Sequence, residues 1–278
     1  MQEHSSAVAA GAKGSAPLLL VDRPQAGVVV VTLNRPETRN SLSLAMIDAL
    51  HTAVDELAND RGAAAVVLAA SGPVFCAGHD LKELTAHRAD ADRGTAFFKE
   101  TMTRCSALMQ AIVACPKPVI AAVQGTATAA GCQLVATCDL AVAARSAKFC
   151  TPGVNIGLFC STPMVALSRN VSRKRAMEML LLGETISADA AAEYGLVNRV
   201  VPDADVLKEA VALAAKIAAK SPLTVATGKV TFYAQAEMPL REAYDHASKV
   251  MAENMMARDA EEGISAFLEK RKPKWTGR

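Results

Sequence analysis

The sequence predicts an α/β body over residues 18–202 and an all-helical C-terminal part over residues 203–278. Three observations carry that prediction. Short all-apolar runs, which suit strands buried on both faces, alternate with stretches of helical apolar spacing in the first part. From Asp203 onward the strand signals stop and the helical spacing continues. The composition is that of a folded chain. Of 278 residues, 51% are hydrophobic and 55 are alanine, which excludes a mainly disordered protein and supplies a sizeable core.

Taken in order, residues 1–17 are rich in Ala, Ser and Gly. They lack a basic segment followed by an apolar one, so they read as a frayed tail rather than a secretory signal. Val28–Leu33 (VVVVTL) is a strand, broken by Asn34-Arg35-Pro36. Leu42–Ala58 repeats apolar residues at helical spacing, with Ser41 or Ser43 to cap it. Ala63–Ala70 is a second strand, closed by Ser71-Gly72-Pro73, and Gly94–Ala114 is a long helix ended by Cys115-Pro116. Val119–Val123 and Asp139–Ala144 are further strands. Ala166–Leu182 and Ala188–Tyr194 read as helices and Val197–Val201 as a short strand. The helices Leu207–Ala219, Leu223–Ala236, Leu240–Ala257 and Ala260–Lys270 complete the chain.

Several function classes drop out. Thirty basic and 28 acidic residues leave a net charge of +2, which argues against a broad nucleic-acid surface but leaves room for a local basic patch. The seven cysteines form no CxxC pair and no finger spacing, so they read as reduced, buried thiols with no metal site. Residues 118–138 carry no charge, yet they contain Gln124, Gln133, glycines and threonines. They read as a strand, a turn and a buried helix rather than a membrane span. A cytoplasmic protein without membrane contact is the expectation.

Two segments share a design that invites chemistry. Pro73–Leu84 (PVFCAGHDLKEL) and Ala122–Gln133 (AVQGTATAAGCQ) each place a strand, a tight small-residue turn and a helix in succession. Small residues let a ligand approach the backbone, and the first N–H groups of a helix have no internal partner. Two such turns facing each other would make a two-donor oxyanion site. Either motif alone is weak, because Ala-Gly turns before helices are common.

Together, the two segments resemble the enoyl-CoA hydratase/isomerase (crotonase) family. The resemblance runs from about Val28 to Trp275. It includes Leu33-Asn34-Arg35-Pro36 with Asn40, Cys138-Asp139-Leu140-Ala141, Ala147-Lys148-Phe149 and the run from Ala266 to Pro273. The segment Gly153–Pro163 narrows it to one subgroup. The resemblance implies a spiral of stacked β-β-α units with a helical C-terminal trimerisation region, so a homotrimer or homohexamer. It implies an acyl-CoA ligand, with coenzyme A entering as part of the substrate and no other cofactor required. By position, the backbone N–H groups of His79 and Ala130 would form the oxyanion hole. Ala77, Lys82, Phe267 and Lys270 would meet the coenzyme A portion.

The same resemblance exposes a departure. Hydratases carry glutamates where this chain has Gln133 and Gly153. A glutamine amide orients water but exchanges no proton near neutral pH, and loss of an acid/base group costs about 10²–10⁴ in rate. Efficient hydration is therefore not expected. Decarboxylation of a malonyl-type thioester, which yields the enolate without a strong base, is the alternative, and a non-catalytic acyl-CoA binder is another. Of the remaining candidates, the His79 side chain is expected to make a local hydrogen bond. Asp80 is expected to cap the next helix. Cys132 and Cys160 read as core thiols. Asn155 and Thr162 are candidates to hold a water or carboxylate near the acyl group.

Overall fold

A computed structural model describes residues 16–278, so the tail expected over residues 1–17 falls almost wholly outside the described residues. The body is built on two sheets. The larger has the order β1-β2-β3-β5-β7-β10, from β1 (Leu19–Gln25), β2 (Gly27–Leu33), β3 (Ala63–Ala70), β5 (Val119–Val123), β7 (Leu140–Ala144) and β10 (Arg199–Val201). The smaller has the order β4-β6-β8-β9, from β4 (Val74–Cys76), β6 (Thr126–Thr128), β8 (Lys148–Cys150) and β9 (Ile186–Ser187). Among the described residues, only the β1–β2 and β8–β9 pairs are antiparallel. The chain therefore repeats one unit: a strand in the large sheet, a strand in the small sheet, then a helix. In the large sheet Val31 pairs with Leu68, Leu68 with Ala121 and Ala121 with Ala141. These strands are buried along their length, which is why they read as continuous apolar runs.

Helix α1 (Leu44–Asn59) starts where the Ser43 side chain accepts the Met46 N–H, and it buries Met46, Ile47, Leu50 and Leu57. Helix α2 (Leu81–Ala86) is short, and α3 (Thr95–Ala114) packs on α1. Helix α4 (Ala130–Thr137) is buried at every position. The helix expected over Ala166–Leu182 is two: α5 (Ser161–Asn170) and α6 (Arg173–Leu182), with Val171 extended between them. The apolar period runs through the break because Leu167, Val171, Ala176, Met179 and Leu180 are all buried. Helix α7 (Ala188–Glu193) precedes β10, and α8 (Val206–Ala218) lies across β2, β3, β5 and β7. Strands β1, β6, β8 and β9 carry no clear periodic signal. Three have two or three residues, and β1 is largely exposed.

The last three helices, α9 (Pro222–Ala236), α10 (Leu240–Met255) and α11 (Arg258–Leu268), form an arm that buries little of itself. One buried network ties it to the body. The Lys229 ammonium donates to an Asp139 carboxylate oxygen at 2.7 Å and to the carbonyls of Ile112 (2.9 Å) and Lys117 (3.1 Å). Tyr233 donates its hydroxyl to the other Asp139 oxygen at 3.0 Å, and the Val119 N–H donates to the oxygen shared with Lys229 at 2.7 Å. A second clasp closes the C-terminus. The buried Asp259 carboxylate accepts from Ser221 Oγ, Thr276 N, Thr276 Oγ1 and Gly277 N. Burial alone raises its pKa, but these hydrogen bonds outweigh that and hold it below the ordinary carboxylate value.

Lys229 and Asp139 expose only 5% and 15% of their side chains. Removing one member of such a pair leaves the other charge buried, at a cost of about 3–5 kcal/mol. Lys229→Ala is expected to lower the unfolding free energy by that much, read as a lower urea midpoint at unchanged slope, whereas Lys249→Ala, at an exposed pair, leaves it near wild type.

Candidate active site

The first small-residue turn follows β4. Gly78 takes φ +86, a region that favours glycine. The loop from Arg35 to Leu42 backs this turn. Ala77 N–H donates to the Arg39 carbonyl (3.1 Å), Leu42 N–H to the Gly78 carbonyl (2.8 Å) and Asp80 N–H to the Leu42 carbonyl (3.3 Å). That loop is itself pinned by Asn40, which is fully buried. Its Oδ1 accepts from the Arg35 N–H (2.9 Å), and its Nδ2 donates to the carbonyls of Ser71 (2.9 Å) and Val74 (2.8 Å). Arg39 and Asn40 both have positive φ, a conformation asparagine adopts more readily than most residues.

The second turn follows β6. Ala129 sits at φ 51, ψ −118, a strained conformation for any residue with a Cβ, costing of order 1–3 kcal/mol. Its N–H donates to the Cys150 carbonyl and its carbonyl accepts from the Gln133 N–H, both at 3.0 Å, so the strained unit is held from both sides.

The two turns touch backbone to backbone. A Cβ on Gly131 would overlap the Cys76 carbonyl oxygen, and one on Gly125 would overlap the Pro73 carbonyl oxygen. A Cβ on Gly78 would lie 3.0 Å from the Ala129 methyl and 3.2 Å from the Ala130 nitrogen. Among the described residues, neither the His79 N–H nor the Ala130 N–H meets an acceptor. The arrangement thus offers two unpaired donors at adjoining turns, one of them at the first residue of α4, where the helix dipole favours negative charge.

The carboxylates nearest the first turn are already engaged. Asp80 caps α2, as expected, by accepting from the N–H groups of Lys82 (2.9 Å) and Glu83 (3.2 Å), and it accepts from Ser41 Oγ at 3.3 Å. Glu83 accepts the Leu44 N–H at 3.0 Å at the start of α1. The local hydrogen bond expected of the His79 side chain is not formed. Both ring nitrogens are buried without a partner. Burial lowers the His79 pKa, so the imidazole is neutral near pH 7.

Gln133 is buried on α4, and its Oε1 also lacks a partner. Gly153 lies in a 3-10 turn (Pro152–Ile156) directly after β8. A Cβ there would lie 3.0 Å from Cys160 Sγ, 3.0 Å from the Leu158 carbonyl oxygen and 3.3 Å from Cys160 N, so even a methyl at 153 requires these neighbours to give by a few tenths of an ångström. The proximity of Cys160 and Leu158 is absent from any sequence signal. All seven cysteines are free and buried. Burial raises the Cys132 and Cys160 thiols above the ordinary value, which fits the core role expected for them. Asn155 donates from its side-chain amide to the Gly183 carbonyl at 3.3 Å. Ala77, His79, Ala130 and Gln133 thus gather around the adjoining turns, with Lys82 exposed on the next helix. Phe267 and Lys270 stand on the exposed surface of the C-terminal arm, with no hydrogen bond to either turn.

Comparison with known proteins agrees with this architecture. The profile of the family described as enoyl-CoA hydratase/isomerase matches residues 23–278. The chain is 47% identical over 262 residues to the mitochondrial enoyl-CoA hydratase domain-containing protein 3 of Rattus norvegicus, covering 94% of this chain and 86% of that one. It superposes on the crystal structure of an enoyl-CoA hydratase from Mycobacterium smegmatis with a TM-score of 0.89 at 55% identity, covering 94% and 99% of the two chains. Human enoyl-CoA hydratase domain-containing protein 3 gives a TM-score of 0.88 at 47% identity, covering 93% and 100%.

The depressed His79 pKa has a consequence for stability. The unfolded chain takes up a proton at this residue near pH 6.5, whereas the folded chain does so only at lower pH. Stability from this group is therefore present above pH 6.5 and declines as pH falls toward the folded pKa. Urea midpoints at pH 7.5 and 5.5 are expected to differ more for the wild type than for His79→Gln.

Proposed function

The chain belongs to the enoyl-CoA hydratase/isomerase family, and from that premise we propose that it binds acyl-CoA thioesters and stabilises a thioester enolate between the backbone N–H groups of His79 and Ala130. The observation that carries this reading is the pair of unpaired N–H groups on turns in backbone contact. Charge that develops on the thioester oxygen would be met by donors already in place, each worth roughly 3–4 kcal/mol in the transition state. The small side chains at Ala77, Ala129 and Ala130 leave the backbone open to the thioester. Lys82 would meet the coenzyme A phosphates. Phe267 and Lys270 would serve the nucleotide end. Arg271 is engaged by Glu262 and Glu269, which leaves Lys270 and Lys272 as the cations of that run for phosphate.

Efficient hydration is not part of this proposal. The Gln133 amide neither gains nor loses a proton near neutral pH, and Gly153 offers no side chain, its built Cβ lying in tight contact with Cys160 and Leu158. Asp80 and Glu83 are spent on helix termini. A site with oxyanion donors and no free base suits substrates that reach the enolate without deprotonation. That favours decarboxylation of a malonyl-type thioester as the second reading, and it leaves a non-catalytic acyl-CoA binder as the third. With crotonyl-CoA, loss of the conjugated-enone absorbance is expected to be about 10²-fold or more slower than for a hydratase bearing both glutamates. Saturable binding of acyl-CoA is expected to persist. Turnover at ordinary hydratase rates would overturn the reading. Release of carbon dioxide from a malonyl-CoA-type substrate would decide for the second activity, and no product from either substrate for the third.

We also propose a homotrimer or homohexamer. Helix α10 buries no residue within the chain, while Phe232, Leu240, Tyr244, Met251 and Met256 of the arm are exposed. An apolar face of this extent on a folded protein calls for a partner surface. No helix among the described residues is long and apolar enough to cross a membrane, which does not suggest lipid as that partner. The reading is of a cytoplasmic protein; "mitochondrial" in the vertebrate relatives' names describes those chains. Light scattering is expected to give a mass three or six times the 29.1 kDa protomer, and a monomer would refute this assembly.

A further inference from the structure

We propose that Ala129 is a positioning residue whose methyl group fixes the separation of the two oxyanion donors. The proposal rests on the two-donor site inferred above and adds the element that sets its width. Ala129 precedes the second donor directly, and its φ of 51 with ψ −118 would be cheaper for glycine. The strain is held by hydrogen bonds on both sides, from the Ala129 N–H to the Cys150 carbonyl and from the Gln133 N–H to the Ala129 carbonyl. The methyl lies over the other turn: a Cβ built on Gly78, the residue before the first donor, falls 3.0 Å from it. The side chain of the residue before one donor therefore lies beside the residue before the other, next to the Thr128 carbonyl oxygen, which is also 3.0 Å from that built Cβ. Glycine here would relax the backbone and remove the methyl that lies beside Gly78, so the two N–H groups would shift relative to each other. A merely structural alanine in a strained conformation predicts something else, namely gain of stability with no change at the site.

The test uses a chromophoric thioester, 4-dimethylaminocinnamoyl-CoA, whose absorption moves to longer wavelength when its carbonyl oxygen is polarised by hydrogen-bond donors. Three proteins are compared: wild type, Ala129→Gly and Ala129→Ser, the last keeping the Cβ. The expected result is a red shift in wild type and Ala129→Ser. In Ala129→Gly the shift is expected to fall by at least half while the unfolding midpoint stays equal or rises. A full shift in Ala129→Gly overturns the proposal. So does equal loss in Ala129→Ser and Ala129→Gly, because the methyl would then not be the determinant. Failure of Ala129→Gly to fold overturns it too, since the backbone argument requires glycine to be accepted. Absence of any shift in wild type strikes the two-donor reading itself, and is told apart by that protein alone.

Discussion

The contact on which this structure depends is between backbones rather than side chains. Successive units of the spiral approach so closely at Gly125, Gly131 and Gly78 that a Cβ at the first two would overlap a carbonyl of the neighbouring unit. That approach lets three-residue strands such as β4 and β6 pair, and it brings two helix-forming turns together. A larger residue at Gly131 would push α4 away from β4. The core would suffer, and so would the site, because the same distance separates both pairs of elements. The alanine excess follows from the same constraint. Ala121, Ala127, Ala141 and Ala143 are fully or nearly fully buried where larger side chains would hold the layers apart.

Departures from the usual rules of a folded interior cluster at the same place. The strained φ of Ala129, the unpartnered ring nitrogens of His79, the unpartnered Gln133 oxygen and the two free backbone donors all lie on or beside the adjoining turns. Elsewhere, apart from the Gln124 side-chain oxygen, the described interior is well satisfied, as the complete sets of partners around Asn40, Asp139 and Asp259 illustrate. Buried polar groups without partners cost stability, of order 1–3 kcal/mol each. Their concentration at one locus fits a site arranged for a ligand's polar atoms rather than for the resting fold.

Charge is distributed in a matching way. Acidic groups near the turns are committed to helix termini, and the one buried ion pair among the described residues, Lys229 with Asp139, serves to hold the C-terminal arm on the body. The arm in turn keeps an apolar surface exposed and carries Lys270 in a left-handed conformation at the end of α11. A near-neutral protein can accommodate a polyanionic ligand in this manner, through a few cations at fixed points instead of a broad basic surface.

Local periodicity alone places much of the secondary structure. Strands β3 and β5 and the helices α1, α3 and α8 to α11 lie where their apolar spacing puts them, because burial on one face or both leaves a repeat within a single segment. The sequence also marked the two small-residue turns, Asn40, the capping role of Asp80 and the identities at positions 133 and 153. Tertiary structure decided what depends on two distant segments at once. Strands β6 and β8 exist only through partners in other units, since three residues carry no period of their own. Val171 breaks a helix that the pattern reads as continuous, because both halves bury the same side. The lost hydrogen bond of the His79 ring, the methyl of Ala129 over Gly78, and Cys160 in the space beside Gly153 are facts of close packing. No local pattern encodes them, because each is a distance between segments and not a property of either one.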